Sequence, residues 1–160
     1  MIIKLVSGGQ TGADMGIVTA GAHLGIPVGG LVPKGWKTEL GPAPELERLG
    51  FTESDSGDYA ERTRRNIELS DATLIFATNP DSDGSRLTIE HAARVGKPYL
   101  ALDPFEPAAV EAIGQWLDSV RPGVLNVAGN RDSRSPGITE QVGKLLCAAL
   151  QTRVQGHSGR

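Results

Sequence analysis

The 160-residue chain is long enough for one domain with its own core, and hydrophobic residues at 39% and charged residues at 22% are ordinary for a globular protein. Sixteen Lys plus Arg against nineteen Asp plus Glu leave a net charge of -3, which excludes a global field drawing the chain onto nucleic acid or an anionic membrane; any anion site must be local. A single cysteine, Cys147, excludes an intrachain disulfide, the opening run is too short for a signal sequence, and no apolar stretch reaches the ~18 residues of a membrane span, so a cytoplasmic setting is expected.

Residues 2–6 are a short β-branched run ending in Ser7-Gly8-Gly9, which predicts a buried strand feeding a turn. Residues 14–24 place Met15, Ile17, Val18 and Ala22 at helical spacing, with Gly25 and Pro27 as the stop. A second strand is expected over 27–32. From 33 to 57 the periodicity fades among Pro42, Pro44 and repeated glycines, which predicts a long irregular connection with a short strand at 51–53; loops of this length are often functional. Asp58 caps a predicted helix over 58–69, Ala72-Thr73-Leu74-Ile75-Phe76-Ala77 is the clearest strand, and a loop over 78–85 leads into a helix over 86–95. A strand at 99–102, a helix over 107–120 opened by Pro107, a last strand at 124–127 and a helix over 137–150 follow. One domain over 1–150 results, with 151–160 as a polar tail.

This alternation predicts an α/β fold: a Rossmann-like, doubly wound, mostly parallel sheet with helices on both faces. The expected strand order is 27–32, 2–6, 72–77, 99–102, 124–127. The ligand crevice of such sheets lies beyond the carboxyl ends of the strands where the winding reverses, here expected between the first strand and the one at 72–77.

Two loops meet there. In Ser7-Gly8-Gly9-Gln10-Thr11-Gly12-Ala13-Asp14 the glycines bring backbone N–H groups close to a ligand, and a helix N-terminus favours negative charge, which points to phosphate. The loop lacks the Gly-Lys-Ser/Thr ending of a nucleotide P-loop and is not the dinucleotide fingerprint. Asp14 fits a helix cap or a ligand contact. In Asp81-Ser82-Asp83-Gly84-Ser85-Arg86-Leu87-Thr88, Gly84 allows close approach while Ser85 and Thr88 offer hydroxyls; this is either a second anion contact or a capping segment. Tyr59, Arg62, Thr63 and Asn66 lie at i, i+3, i+4 and i+7, a polar stripe that either faces water or brings Arg62 to a phosphate. Lys34 and Lys37 flank Trp36 as a basic lip or an ordinary turn. No His, Cys or carboxylate set has metal-ligand spacing, and no serine or cysteine sits as an activated nucleophile, so neither a metal nor a catalytic residue is assigned.

Ser7–Asp14, Pro33-Lys34-Gly35, Tyr59–Asn66 with Ser70-Asp71-Ala72-Thr73-Leu74-Ile75, Gly96-Lys97-Pro98, and Leu125-Asn126-Val127-Ala128-Gly129 followed by Pro136-Gly137-Ile138 together resemble the molybdenum cofactor carrier family. The likeness runs from about residue 3 to 150. That family is similar in fold to the Rossmann-like superfamily of lysine-decarboxylase-like phosphoribohydrolases. The resemblance implies storage or transfer of molybdenum cofactor (molybdopterin), a pterin carrying a phosphate, with a nucleotide as the alternative ligand. It implies ligand binding at Gly8, Gly9, Gln10, Thr11, Gly12, Lys34, Arg62, Asn66, Gly84, Ser85 and Thr88. The expected partners are the small phosphorylated ligand, further copies of the chain in a homo-oligomer, and molybdoenzymes or cofactor-synthesis proteins. The phosphoribohydrolase signature Gly-Gly-x-Gly-Thr-x-x-Glu is departed from: Leu87 precedes Thr88, and Glu90 follows it by two residues rather than three. A carrier is therefore expected first, a hydrolase using Glu90 or Asp14 as base second, and a nucleotide sensor third.

Overall fold

The computed structural model of the chain describes residues 1–79 and 81–154. Six parallel strands form one sheet: β1 (Lys4–Val6), β2 (Val28–Val32), β5 (Phe51–Glu53), β6 (Ala72–Phe76), β7 (Tyr99–Leu102) and β8 (Val124–Gly129). Between β2 and β5 the irregular connection holds a small antiparallel hairpin, β3 (Lys37–Thr38) with β4 (Gly41–Pro42), and the single-turn helix α2 (Leu46–Leu49). The larger helices are α1 (Gly16–Leu24), α3 (Tyr59–Glu68), α4 (Asp83–Arg94), α5 (Ala109–Val120) and α6 (Ile138–Leu150). The Rossmann-like α/β class read from the alternation holds.

The strand order is β5-β2-β1-β8-β6-β7, which differs from the expected order in one respect. β8, placed at the edge by sequence, inserts between β1 and β6, with Leu5 beside Leu125 and Leu74 beside Val127. The edge on that side is β7, whose four residues are all exposed or half-buried, whereas β6 is buried throughout. Local patterning specifies that a strand exists but not its neighbours. The crevice consequently straddles β1 and β8 rather than β1 and β6.

Right-handed crossovers put α1 and α5 on one face of this sheet and α3 and α4 on the other. The contacts agree: α6 packs on α1 and α5, and α3 packs on α4. The core lies mainly under α1, α5 and α6, where Ile17, Ile113, Leu146 and Leu150 bury against Leu5, Leu74 and Leu125. Each apolar side chain so buried contributes about 1.5–3 kcal/mol relative to exposure.

Helix α3 starts where the sequence set it, with the Asp58 side chain accepting from the Ala60 N–H at 3.0 Å. The helix expected from Asp14 instead begins with a 3₁₀ turn at Gly12–Met15, so Asp14 lies inside that turn and is not its cap. Arg153 and Val154, assigned to the polar tail, are packed. The Ile2 N–H donates to the Arg153 carbonyl at 2.8 Å, Val154 is buried, and Arg153 pairs with Asp118 at 2.8 Å. The rest of that tail, 155–160, lies outside the described residues.

Candidate functional site

β1, β6 and β8 run parallel, so their carboxyl ends deliver three loops to one side of the sheet: 7–11, 77–82 and 130–137. Above them lies a small cavity, partly open to solvent. Gly8, Gln10, Asp14, Tyr59, Arg62 and Thr88 are among its lining residues, with the β8 segment 126–129. Helices α3 and α4 supply the opposite wall.

The floor is a buried ion pair. Arg62 Nη1 lies 3.4 Å from Asp14 Oδ2, and the two residues are 9% and 6% exposed. Burial pushes the Asp14 carboxyl up to about 6 against the pull of Arg62 and of the loop amides, and burial also lowers the Arg62 guanidinium, with Asp14 holding it back. Gly8 is explained by this arrangement: a Cβ there would fall inside the Arg62 guanidinium. The Tyr59 ring carries two cations, with Arg62 Cζ 5.7 Å and Arg131 Cζ 5.5 Å from its centroid.

The amides of the first loop, expected to face an anion, are bonded within the protein. The Gly9 N–H donates to Ser7 Oγ (3.3 Å), Gln10 to Asp14 Oδ2 (3.2 Å), Thr11 to Gln10 Oε1 (3.0 Å) and Ala13 to the Asn130 carbonyl (3.1 Å). The loop folds around its own carboxylate, Asp14. Its glycines serve geometry: Gly9 and Gly12 have φ of +69° and +86°. A Cβ on Gly9 would meet Val32 Cγ1 at 2.6 Å, and one on Gly12 would strike the Asn130 carbonyl.

The N-terminus of α4 has no comparable internal acceptor from its cap. Ser82 precedes it in extended conformation without a side-chain bond to the helix backbone, its hydroxyl donating instead to Ser85 Oγ at 3.0 Å. A second, wider depression lies against this end and shares Gly84, Gly129 and Arg131 with the first; Asp81, Asp83, Ser85 and Arg134 also line it. A Cβ on Gly84 would meet nothing within 4 Å, so this shoulder has room for a ligand. Helix N–H groups, Arg131 and Arg134 offer contacts to an anion here, alongside the carboxylates of Asp81 and Asp83.

Of the residues expected at the site, Gly8, Gln10, Arg62, Asn66, Gly84 and Thr88 line the first cavity and Ser85 the adjoining one. Asn66 acts on the backbone: its Oδ1 accepts from the Leu31 N–H (2.8 Å), and its Nδ2 donates to the carbonyls of Leu31 (2.9 Å) and Ser7 (3.3 Å). The Thr88 hydroxyl donates to the Gly84 carbonyl at 2.9 Å. Gly9, Thr11, Gly12 and Lys34 stand outside the lining of both cavities. The Thr11 hydroxyl donates to the Glu39 carboxylate and accepts from the Asp132 N–H at 3.3 Å. Lys34 is exposed, its N–H donating to the Ser56 carbonyl. Glu90 is exposed on α4 and lines neither cavity.

Arg131, Arg134 and Glu39 are site residues that sequence reasoning missed. The two arginines follow β8, and with β8 assigned to the edge its loop had no reason to reach the crevice. Glu39, at the tip of the β3–β4 hairpin, accepts from the Thr11 hydroxyl and from both the hydroxyl and the N–H of Ser133, and these bonds hold its carboxyl below the usual range. It thereby ties the hairpin and the first loop to the segment carrying Arg131.

The model of the circularly permutated YpsA SLOG family matches residues 5–150. The chain belongs to this family. In this chain the C-terminal strand β8 lies beside the N-terminal β1, and Ile2 and Val154 form a separate parallel bridge. The family member is also similar to a protein from Syntrophus aciditrophicus SB whose crystal structure is described as that of a putative molybdenum carrier protein. The two are 37% identical with a TM-score of 0.85, over 93% of this chain and 95% of the other. No curated protein matches the chain. No helix among the described residues is long and apolar enough to cross a membrane.

Proposed function

We propose that this SLOG-family protein is a carrier that binds a phosphate-bearing heterocycle, a molybdopterin-type pterin first among them, for storage or transfer in the cytoplasm. One observation carries the reading: a single crevice has an aromatic and apolar wall of Tyr59, Leu87 and Val127 at one end. At the other it has the α4 N-terminus with Arg131 and Arg134, beside Asp81 and Asp83. A planar ring bearing a charged phosphate needs that combination. The likeness to the Syntrophus protein supports a molybdenum-related cargo. In this reading the phosphate lies against Gly84, Ser85 and the two arginines, and Arg62, Gln10 and Thr88 belong to the ring end. The carrier works as a homo-oligomer that hands its cargo to molybdoenzymes or cofactor-synthesis proteins, without nucleic acid or membrane.

A second reading, a nucleotide hydrolase, is favoured by one feature: Asp14, a carboxyl raised to about 6 by burial, lines the cavity. Native mass spectrometry of freshly purified protein, followed by incubation with nucleoside monophosphates, separates the two. A co-purifying pterin phosphate without turnover supports the carrier; release of free base identifies a hydrolase.

A further inference from the structure

The two edges of the sheet differ. β5 is short and ends in exposed Thr52 and Glu53, polar side chains of the kind that blunt an edge. β7 carries Tyr99-Leu100-Ala101-Leu102, with no charge and no proline inside the strand, and Phe105 and Val110 beyond its C-terminal end are 48% and 37% exposed. The Pro98 and Leu102 carbonyls accept from the Thr73 and Ala77 N–H groups at 3.0 Å each, so the even-numbered residues of this segment turn their amides toward β6. Tyr99 and Ala101, alternating with them, turn N–H and carbonyl outward, where nothing among the described residues bonds them. A shallow depression, with Ile75, Ala77, Ile89 and Ala101 in its lining, lies between the strand and α4.

We propose that β7 is the contact surface of a two-fold homodimer, pairing antiparallel with β7 of a second copy in the register centred on Leu100. It rests on the carrier reading only in its homo-oligomer, for which it supplies the interface. The edge is its own complement in that register. Tyr99 faces Ala101 of the other chain and Ala101 faces Tyr99, so every outward amide group of both strands is bonded, whereas a register centred on Tyr99 or on Ala101 bonds that residue alone within the strands. The same register sets Lys97 level with Asp103 of the other chain at both ends, opposite charges that neither alternative aligns. The Lys97 ammonium donates to the Glu68 and Ser70 carbonyls and keeps a third N–H, and Asp103 keeps one oxygen beyond that accepting from the Phe105 N–H. Large meets small as well: the Tyr99 ring comes to lie over Ala101, beside the depression that an aromatic side chain would fill. Exposed charges on the flanking elements are of both signs, Arg86, Glu90 and Arg94 on α4 with Glu106 and Glu111 toward α5, so no single-sign field surrounds the edge. Because the paired strands run in opposite directions, the two crevices open at opposite ends of the dimer and stay accessible.

Light scattering during size exclusion should give twice the chain mass, and sedimentation equilibrium the dissociation constant. Ala101→Pro removes an N–H that faces away from β6, so the sheet keeps its ladder while the dimer loses a bond on each side of its axis; the dissociation constant should rise about tenfold or more. Leu100→Cys in a Cys147→Ser background sets two thiols across the axis at a non-hydrogen-bonded pair, where Cα atoms lie about 4.5 Å apart and a disulfide fits. Oxidation with copper phenanthroline should convert this variant to a covalent dimer, whereas Ala101→Cys in the same background, its thiol opposite Tyr99, should stay uncrosslinked. A monomeric wild type removes both this surface and the homo-oligomer, while the ligand of the crevice is still decided by native mass spectrometry. A dimer whose constant is unchanged in Ala101→Pro, or Ala101→Cys crosslinking as readily as Leu100→Cys, overturns the β7 surface and leaves the homo-oligomer standing. Should Ala101→Pro fail to fold, the two cysteine variants, their fold checked by circular dichroism, decide alone.

Discussion

Asp14→Asn tests whether the floor pair is as buried as its geometry requires. The folded protein holds the Asp14 carboxyl near 6, against an ordinary 3.8, with burial as the largest cause. Between those two pH values the unfolded chain has released its proton while the folded chain retains it. Stability therefore falls as pH rises through this window, and is constant in this respect below 3.8 and above about 6. A gap of about two pH units at about 1.4 kcal/mol each amounts to roughly 3 kcal/mol. Asparagine is nearly isosteric and does not titrate, so the stability difference between wild type and Asp14→Asn isolates this contribution from the other carboxylates. Urea denaturation of both proteins at half-unit steps from pH 4 to 7.5 should show the wild type losing about 3 kcal/mol relative to the variant as the pH rises. A difference that is flat with pH, or that slopes the other way, would refute the claim that desolvation outweighs the Arg62 attraction.

Gly9→Val should destabilise the fold by about 2–4 kcal/mol in urea titration, because it forces a β-branched residue into φ +69° against Val32; an unchanged urea midpoint would refute this. Arg62→Ala leaves Asp14 buried without its cation and should cost on the order of 3 kcal/mol, whereas Arg62→Lys keeps the charge and should cost less; equal and negligible effects of both would show a solvated surface arginine. Glu39→Ala releases Ser133 and Thr11 and should weaken inorganic phosphate binding several-fold through the segment bearing Arg131, while thermal stability changes by about 1 kcal/mol or less. Arg134→Ala should lower phosphate affinity by about 1.5–3 kcal/mol and flatten its dependence on salt, measured by titration at two ionic strengths.

The helices and strands were legible because their signals are local. Asp58 caps α3, Gly25 ends α1, and the short strand at 51–53 stands between glycine-rich turns. Strand order was not legible, because Val124–Gly129 carries the same apolar pattern whether its neighbours lie on one side or on both. That single misplacement also hid Arg131 and Arg134, since a residue enters a crevice only if its strand does. In the first loop, Gly8 and Gln10 line the cavity as expected whereas Gly9, Thr11 and Gly12 do not, and the amides expected to face an anion bond inward. Ser-Gly-Gly-Gln-Thr-Gly reads equally well as a cradle for an external anion or for Asp14. Only Arg62, which reaches Asp14 from a helix 48 positions away in sequence, decides between them. Conversely, the i, i+3, i+7 stripe on α3 correctly grouped Tyr59, Arg62 and Asn66 on one face, and burial turned that face from a solvated surface into the wall of the site.

The central place of β8 bears on how the polypeptide emerges during synthesis. β1 pairs with β2 and β8, and β6 with β7 and β8, so β5-β2-β1 and β6-β7 are joined within the sheet solely through a strand made after both. Until residues 124–129 leave the ribosome, the inner edges of β1 and β6 have no ladder partner, and both are apolar. Unpaired apolar strand edges are the surfaces on which nascent chains aggregate. Slow translation or chaperone capture between residue 76 and residue 124 would thus govern the yield of folded protein more than the stability of the finished sheet does.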